Sequence, residues 1–484
     1  MDTELLRECT FDDEGWSQRR VGSGISCPST AEDPDLSSQA VRNRYRCPKD
    51  FFDFALSGEL SSGEGYFRFG PNAICYGRSS SAVLQPRAGC SLHDLLRDIA
   101  MEGGKLRLPF DPDEIIGNLR LERYPHSRLS GYEGIFKEIY YWLRPLTSQS
   151  LRRKIQKFHV RNWEKLLHPR WPVDTTVENI CERLMLLSLQ AKGKDRVPFV
   201  WFWPKGARGC LTMTHDVETE VGRDFCSELM DLDDVFGVKA SFQVVPEKRY
   251  AVPAKLLDSI RRRGFEIGVQ DLNHDGRLFD SKKKFLRRAK AINRYGREYG
   301  ARGFRAGVLY RKPEWFDALD FSFDMSFPNV AHLDPQRGGC CTVMPYFIGD
   351  ILELPVTTVQ DYTLFHLLNE HSIDLWKTQM DLILSKNGMV SFIVHPDYVR
   401  EREPNRVYRD LLGYLREVRE RENVWFALPS EIDRWWRARS KMSVVEDGKS
   451  FRIEGEGAER AVLAFAKTVG GQLRYEFGET PSAS

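Results

Sequence analysis

The feature that most limits the fold of this chain is an alternation of short apolar runs with amphipathic segments between residues 205 and 436. The apolar runs have strand length, and strands are predicted at 209–215, 238–245, 265–270, 303–307, 322–327, 352–358, 388–395 and 424–428. Helical periodicity predicts helices between many of them, at 221–234, 253–263, 282–298, 372–385 and 406–421. Such alternation favours a largely parallel α/β sheet or barrel, in which functional side chains lie at the carboxyl ends of the strands.

The first predicted strand ends in two acids separated by one residue, in the sequence Thr214-His215-Asp216-Val217-Glu218. Because side chains alternate across a strand, Asp216 and Glu218 are expected on one face and His215 and Val217 on the other. Two neighbouring carboxylates suit a metal ligand beside a general base. The alternative is that the acids only favour the start of a helix, where negative charge is stabilising.

Three later strand ends also carry polar side chains. Gln270 and His274 are four residues apart and converge if a helical turn begins there, and the His274 imidazole is a natural metal ligand. Arg305 lies among small residues, where its guanidinium can orient a carboxylate by paired hydrogen bonds. His395 ends an apolar strand and fits a general acid. Each motif taken singly also has a structural explanation. His274 fits a surface histidine, Arg305 fits a structural ion pair, and His395 fits a histidine that caps its strand.

In this order along the chain, the motifs resemble those of the polysaccharide deacetylase family, which has a NodB homology domain and is similar to carbohydrate esterase family 4. The resemblance covers roughly residues 205 to 436 and implies a distorted parallel (β/α) barrel. The motifs that carry it are the Asp216-Val217-Glu218 acid pair, Gln270 to His274, Phe304-Arg305-Ala306-Gly307 and Ile393-Val394-His395.

The resemblance implies a metal-dependent hydrolase that removes N-acetyl groups from an amino-sugar-containing saccharide or glycan precursor. Its cofactor would be a divalent metal, with zinc expected, and the metal ligands would be Glu218, His274 and Gln270. The catalytic residues would be Asp216 as general base, Arg305 as the side chain that holds the Asp216 carboxylate, and His395 as the acid that protonates the departing amine.

The chain departs from the family pattern at Gln270, which stands where the first metal-binding histidine is expected. An amide oxygen is a poorer zinc ligand than imidazole. The roles of Asp216 and Glu218 could also be exchanged. Two alternatives therefore stay open: a non-catalytic carbohydrate-binding or scaffolding protein on a decayed deacetylase barrel, and a hydrolase of small cyclic amides.

The rest of the chain divides by composition into further parts. Residues 1–130 are irregular with small β-structure, and residues 131–204 read as helical. The deacetylase-like barrel is predicted at 205–438, and a small antiparallel β-module at 441–484. The predicted fold is thus an α/β barrel of NodB type with an N-terminal α+β extension and a small C-terminal β-module.

Charge, hydropathy and cysteine content limit the partners. The formal net charge of +2 gives no strong attraction to nucleic acid. Apolar runs stay well below the ~18 residues that a membrane span needs, and no signal-peptide core is found in the first twenty residues. The ten cysteines form no CxxC pair, which favours reduced thiols and a cytoplasmic location. A saccharide substrate is the expected partner, and the oligomeric state is not defined.

Overall fold

The structure of this chain is a computed structural model that describes residues 36, 38–81, 83–125, 157–158, 160–448 and 450–478. Residues 131–156 of the segment predicted to be helical and the first 35 residues of the chain lie outside these residues. The described residues belong to one compact unit, Asp35–Ser484. The division into four parts stays a prediction.

Up to residue 200, the described chain forms short strands and helices. In chain order these elements are α1 (Gln39–Tyr45), β1 (Phe54–Leu56), β2 (Gly65–Arg68), β3 (Ile74–Gly77), β4 (Ala100–Glu102), β5 (Lys105–Leu108), α2 (Pro112–Arg120), α3 (Thr176–Ala191) and β6 (Arg196–Val200). β1 pairs in parallel with β5, β4 pairs antiparallel with β5, and β2 and β3 form an antiparallel pair.

The alternating segment forms strands and helices close to the predicted positions. Its elements are β7 (Gly209–Val217), α4 (Glu220–Val235), β8 (Ala240–Val244), α5 (Ala254–Arg262), β9 (Glu266–Gln270), α6 (Lys282–Glu298), β10 (Gly303–Arg305), β11 (Phe323–Asp324), β12 (Tyr346–Ile348), β13 (Ile351–Glu353), α7 (Asp374–Ser385), β14 (Met389–Val394), α8 (Pro396–Val399), α9 (Arg402–Glu422), β15 (Val424–Phe426) and α10 (Pro429–Lys441). A π-helical turn at Thr363–Leu368 precedes α7.

These strands form one sheet in the order β12-β13-β11-β10-β9-β8-β7-β14, with β15 paired to the first part of β7. Only β12 runs antiparallel to its neighbour among the paired strands of this sheet. The predicted mixed α/β class with a mainly parallel sheet is therefore confirmed. Because the strands are parallel, their carboxyl ends lie along one edge of the sheet.

The sheet curls so that its two ends meet through side chains. Thr357 and Thr358 follow β13, and their hydroxyls donate to the carbonyls of Met389 and Ser391 on β14, each at 2.8 Å. The amide of Ser391 donates in return to Thr357 Oγ1 at 2.9 Å. These contacts link the chain after β13 to β14, although the two strands are far apart in the strand order. The carboxyl ends of the strands therefore surround one centre. A closed barrel of NodB type remains a prediction.

The C-terminal strands attach to a strand that precedes the main sheet. They are β16 (Ser443–Asp447), β17 (Ser450–Glu454), β18 (Leu463–Val469) and β19 (Gln472–Phe477). β16 and β17 form an antiparallel pair, as do β18 and β19. β18 also pairs with β6. The small β-module at 441–484 stays a prediction, and its strand β18 is tied to the earlier chain by the pairing with β6.

Two apolar cores hold these elements in place. One lies between the main sheet and its helices, and it includes Phe242, Ile292 and Leu411. The other joins the N-terminal strands, α3 and the C-terminal strands. Trp435 and Trp436 of α10 are buried in this second core. Within the described residues, no helix is both long and apolar enough to cross a membrane.

Candidate active site

The acid pair lies at the carboxyl end of β7, a strand that is buried along its whole length. The amide nitrogen of Gln270 donates to Asp216 Oδ2 at 3.0 Å and to Glu218 Oε1 at 3.1 Å, so both carboxylates face one side. His215 lies on the opposite face, where its Nε2 is 2.9 Å from Asp233 Oδ2. This is the alternation expected for an extended strand.

The start of α4 separates the acid pair from the acids of the helix. Thr219 caps the helix, because its hydroxyl accepts the amide of Gly222 at 3.0 Å. Glu220 therefore lies in the first helical turn, where a negative charge is stabilising. Glu218 precedes the cap and faces Gln270. The helix-start explanation thus fits Glu220 and does not account for Glu218.

Gln270 and His274 reach the acids without the helical turn that their spacing suggested. Gln270 ends β9, and the following residues form bends in which Asp271 and His274 have φ angles of 53° and 49°. The turn prediction was therefore wrong, although His274 Nε2 lies 2.8 Å from Glu218 Oε1. Gly307 permits this approach, because a Cβ atom there would lie 3.0 Å from His274 Cδ2 and 2.8 Å from Asp271 Oδ2.

Arg305 is buried at the end of β10, directly against the acid pair. Its Nη1 donates to Asp216 Oδ1 and to Thr214 Oγ1, the latter at 2.8 Å. Its Nε donates to the carbonyl of Met325 at 3.0 Å. The guanidinium is thus fixed between two strands, and it neutralises and orients the Asp216 carboxylate.

His395 follows β14 and approaches the acids from the other end of the sheet. Its Nε2 lies 3.5 Å from Glu218 Oε1. Its Nδ1 donates to Asp361 Oδ1 at 2.6 Å, and its backbone amide donates to Asp361 Oδ2 at 2.6 Å. Burial opposes the charged imidazolium, yet the charges of Asp361 and Glu218 raise the pKa of His395 well above its ordinary value.

Asp361 was missed by the sequence analysis. It lies three residues beyond the strand predicted at 352–358, at the same edge of the sheet as the other site residues. Extending the search for polar side chains a few residues past each strand end would have found it. We refer to Asp216, Glu218, Gln270, His274, Arg305, Asp361 and His395 together as the acid–histidine site.

Glu218 and His274 perturb each other's protonation. Burial disfavours the Glu218 carboxylate, but the positive charges of His274 and His395 lower the pKa of this carboxyl well below its usual value. Burial likewise disfavours charged His274, and Glu218 raises the pKa of the imidazole. Glu218 Oε1 is therefore a half-buried negative centre approached by three nitrogens, on Gln270, His274 and His395.

A second buried acid pair lies behind Arg305. Asp324 ends β11 and Glu353 ends β13, and both side chains are buried. Burial and the neighbouring Asp324 carboxylate raise the pKa of Glu353 well above its usual value. Asp324 accepts from Ser326, whose hydroxyl also accepts the amide of Ala306 at 2.8 Å. These contacts fix the backbone next to Arg305.

The donor atoms of the site suit a divalent cation. Ligand atoms of Asp216, Glu218 and His395 lie within 4.8 Å of one another. Nδ1 of buried His274 has no hydrogen-bond partner, and the carbonyl oxygen of Gln270 is also buried without one. Buried polar atoms are normally paired. Imidazole, carboxylate and, after rotation of the amide, a carbonyl oxygen form a donor set that fits zinc or a similar ion.

Comparisons with known proteins found similarity only among solved structures. No family model matches this sequence, and no curated protein matches it. A putative polysaccharide deacetylase from Mycobacterium smegmatis is 18% identical over 49% of this chain and 93% of its own, with a TM-score of 0.40. The Puue allantoinase is 14% identical over 49% of this chain and 92% of its own, with a TM-score of 0.38.

A probable polysaccharide deacetylase from Pseudomonas aeruginosa PAO1 is 14% identical over 49% of this chain and 93% of its own, with a TM-score of 0.37. Structures described as polysaccharide deacetylases are thus among those similar to this chain.

Proposed function

We propose that this chain is a hydrolase that uses a divalent cation, zinc, to remove N-acetyl groups from an amino-sugar-containing saccharide. The observation that carries the proposal is the convergence on Glu218. His274 Nε2 lies 2.8 Å and His395 Nε2 3.5 Å from Glu218 Oε1, and Asp216, held by Arg305, shares the Gln270 amide with Glu218.

Glu218 and His274 would hold the cation, with the Gln270 carbonyl oxygen as a third ligand after rotation of its amide. When bound, such a cation polarises a carbonyl and lowers the pKa of water. The unpartnered Nδ1 of His274 and the unpartnered oxygen of Gln270 support this assignment, because ligation by either atom would satisfy it.

Asp216 is the proposed general base. Arg305 donates to Oδ1 of this carboxylate, and the Gln270 amide reaches Oδ2. Rotation of that amide frees Oδ2 to accept a proton from the attacking water. Arg305 is buried and fixed by Thr214 and Met325, so it orients the carboxylate without moving during the reaction.

His395 is the proposed general acid. Asp361 binds its Nδ1 and leaves Nε2 facing the acid pair. The charges of Asp361 and Glu218 raise the pKa of His395, which favours the protonated ring. His395 Nε2 is thus able to deliver a proton to the amine that leaves when the amide C–N bond breaks. The products would be acetate and a free amino sugar.

Aromatic rings beside His395 suit a sugar substrate. The half-buried Tyr398 ring lies 5.0 Å from the His395 ring, and the half-buried Tyr362 ring lies 6.0 Å from Tyr398. Tyrosine combines an apolar face with a polar tip, which suits the mixed surface of a pyranose.

The proposal is tested by metal content and acetate release. Chelator-treated protein is incubated with a panel of N-acetylated oligosaccharides, with and without added zinc. We expect acetate release only with zinc, and we expect Glu218→Gln to lose both activity and one equivalent of zinc. Glu220→Gln is the matched control, because this exposed acid lies outside the site. Acetate release that survives the chelator or Glu218→Gln would exclude the proposed mechanism. Including small cyclic imides in the panel tests ring opening as the alternative reaction.

A metal-free saccharide-binding protein is a second candidate, and one contact favours it. The Gln270 amide nitrogen donates to both carboxylates. These hydrogen bonds stabilise the two negative charges at the position where a cation would otherwise bind. If the chain has this second function, we expect saccharides to bind equally well with and without a chelator, and we expect no acetate to be released. A calorimetric titration with and without zinc separates the two functions.

A further inference from the structure

A second group of metal-ligating side chains lies outside the acid–histidine site. His168 and Asp174 belong to the segment before α3, and Cys341 lies in the loop between β11 and β12. Their side chains are 2%, 1% and 0% exposed. Three residues from two distant segments thus bring an imidazole, a carboxylate and a thiol together in the interior.

The distances place these groups around a common point. One ligand atom of each residue lies within 4.8 Å of the others. His168 Nδ1 is 3.9 Å from Asp174 Oδ2, and His168 Nε2 is 4.0 Å from Cys341 Sγ. A tetrahedral zinc ion with bonds of ~2.0–2.3 Å separates its ligand atoms by roughly 3.3–3.8 Å. The two contacts above use different ring nitrogens of His168, and a shared ion binds only one of them. Binding therefore requires a rotation of the His168 ring and a contraction of the ligand separations from within 4.8 Å to this range.

The carboxylate of Asp174 is already oriented by the backbone. It accepts the amide of Arg170 at 2.6 Å and the amide of Thr176 at 2.8 Å. Each carboxylate oxygen keeps a further lone pair for a metal. Asn329 accepts the Asp174 amide at 2.8 Å and donates to the Asp174 carbonyl at 2.7 Å. Asn329 also donates to the carbonyl of Thr342 at 2.9 Å, which ties this segment to the residue that follows Cys341.

Tyr124 supports the other two ligands. Its ring packs edge-on against His168, with the centroids 4.9 Å apart. Its hydroxyl donates to the carbonyl of Gly339 at 2.5 Å and lies 3.8 Å from Cys341 Sγ. A tetrahedral ion bound by the three side chains has a fourth position, which the Tyr124 oxygen or a water molecule can take.

The charges of the three groups match a divalent cation. Binding of the ion displaces the proton of the Cys341 thiol, and a neutral His168 supplies one nitrogen. A carboxylate and a thiolate then balance the two positive charges, so the buried complex has no net charge. The mixture of sulfur, nitrogen and oxygen donors suits zinc and excludes magnesium or calcium, which prefer oxygen alone.

We propose that His168, Asp174 and Cys341 form a second, structural zinc site, which we call the His168 site. It would link the segment that leads into α3 to the loop between β11 and β12. The site is independent of the proposed hydrolase activity, because none of its residues belongs to the acid–histidine site.

Cobalt(II) gives a direct test, because a cobalt–thiolate bond has a near-ultraviolet charge-transfer band that oxygen and nitrogen ligands lack. Full-length protein is stripped with a chelator, titrated with cobalt(II) and followed by absorption. We expect the band at one equivalent of cobalt, and we expect zinc to abolish it. The acid–histidine site contains no sulfur, so cobalt bound there does not contribute.

Cys340 provides a matched control, since it is also buried and adjacent in sequence, but its Sγ points to the carbonyl of Thr342 at 3.7 Å. The band should persist in Cys340→Ser and disappear in Cys341→Ser and His168→Gln. Chelation should lower the melting temperature of the unmodified protein and of Cys340→Ser. Absence of the band in the folded, unmodified protein would overturn the proposal even if the variants fail to fold. A band that persists in Cys341→Ser would do the same.

Discussion

Asp361 holds both the backbone and the ring of His395: one carboxylate oxygen accepts the backbone amide at 2.6 Å and the other accepts Nδ1 at 2.6 Å. A carboxylate bound at Nδ1 fixes the tautomer and the orientation of the ring, and it stabilises the charged form. His395 Nε2 is consequently directed towards Glu218. The proposed role of His395 as a general acid therefore depends on a residue 34 positions earlier in the chain.

Replacing Asp361 with Asn should weaken the proposed general acid. The amide keeps a similar shape but removes the charge that raises the pKa of His395. The proposed general acid acts in its protonated form. If the pKa of His395 is lower in the variant, the protonated imidazole is lost at a lower pH. We expect the alkaline limb of the profile of kcat/KM against pH to move to lower pH. We also expect kcat to fall by about 10²-fold, since general acid catalysis contributes on the order of 10²–10⁴.

Glu220→Gln is the control for this experiment. Glu220 is an exposed acid in the first turn of α4 and lies outside the acid–histidine site. The alkaline limb of this variant should stay close to that of the unmodified enzyme. An Asp361→Asn profile that coincides with that of the unmodified enzyme would remove His395 from the proton transfer.

Replacing Arg305 with Met should destabilise the fold, because it leaves the buried Asp216 carboxylate without its cation. Removing one partner of a buried pair costs about 3–5 kcal/mol. Adding Asp216→Asn should restore part of this loss, since no uncompensated charge then remains. Urea unfolding of chelator-treated protein measures both effects.

Arg297→Met removes an exposed ion pair with Asp320 and should cost at most about 1 kcal/mol. Equal losses in the single and double variants would show that the Arg305–Asp216 charge pair is not responsible.

Replacing Gln270 with His should strengthen metal binding at the acid–histidine site. The amide nitrogen now donates to both carboxylates, whereas an imidazole would present a better ligand atom. We expect zinc affinity to rise at least 10-fold, which corresponds to about 1.4 kcal/mol.

The measurement is a competition titration against a chromophoric chelator in a Cys341→Ser background, so that the His168 site does not contribute. Gln270→Ala is the control and should not gain affinity. An unchanged affinity in Gln270→His would mean that this position does not face the cation.

His332 should make the folded state less stable at acidic pH. Its Nε2 donates to the carbonyl of Pro169 at 2.6 Å, and burial lowers the pKa of its ring to about 4, from 6.5 in the unfolded chain. The unfolded state therefore binds the proton more tightly, and stability is lost as pH falls from 6.5 towards 4. This contribution reaches about 3 kcal/mol at pH 4.

Urea unfolding between pH 7 and pH 4 measures this effect. His332→Gln should lose less stability than the unmodified protein over that interval, while the partly exposed His371→Gln should follow the unmodified protein. Parallel curves for His332→Gln and the unmodified protein would contradict the assigned pKa.

The strand and helix positions of the main sheet followed from hydropathy, because parallel strands buried on both faces need continuous apolar runs. α6 is an example: the helix predicted at 282–298 is observed as Lys282–Glu298, with Phe285, Ala289 and Ile292 on its buried face. The same reasoning found Asp216, Glu218, Arg305 and His395, since each lies at or just beyond the carboxyl end of a strand.

The sequence by itself determined the alternation of elements and the chemical types at the strand ends, because both depend on local pattern. Only the tertiary structure decided which of these groups meet. The left-handed bends at Asp271 and His274, the contact of Asp361 with His395 and the attachment of β18 to β6 each join residues whose pairing depends on packing between distant segments. The same holds for His168, Asp174 and Cys341, which share no local motif and become neighbours only when two loops are packed together.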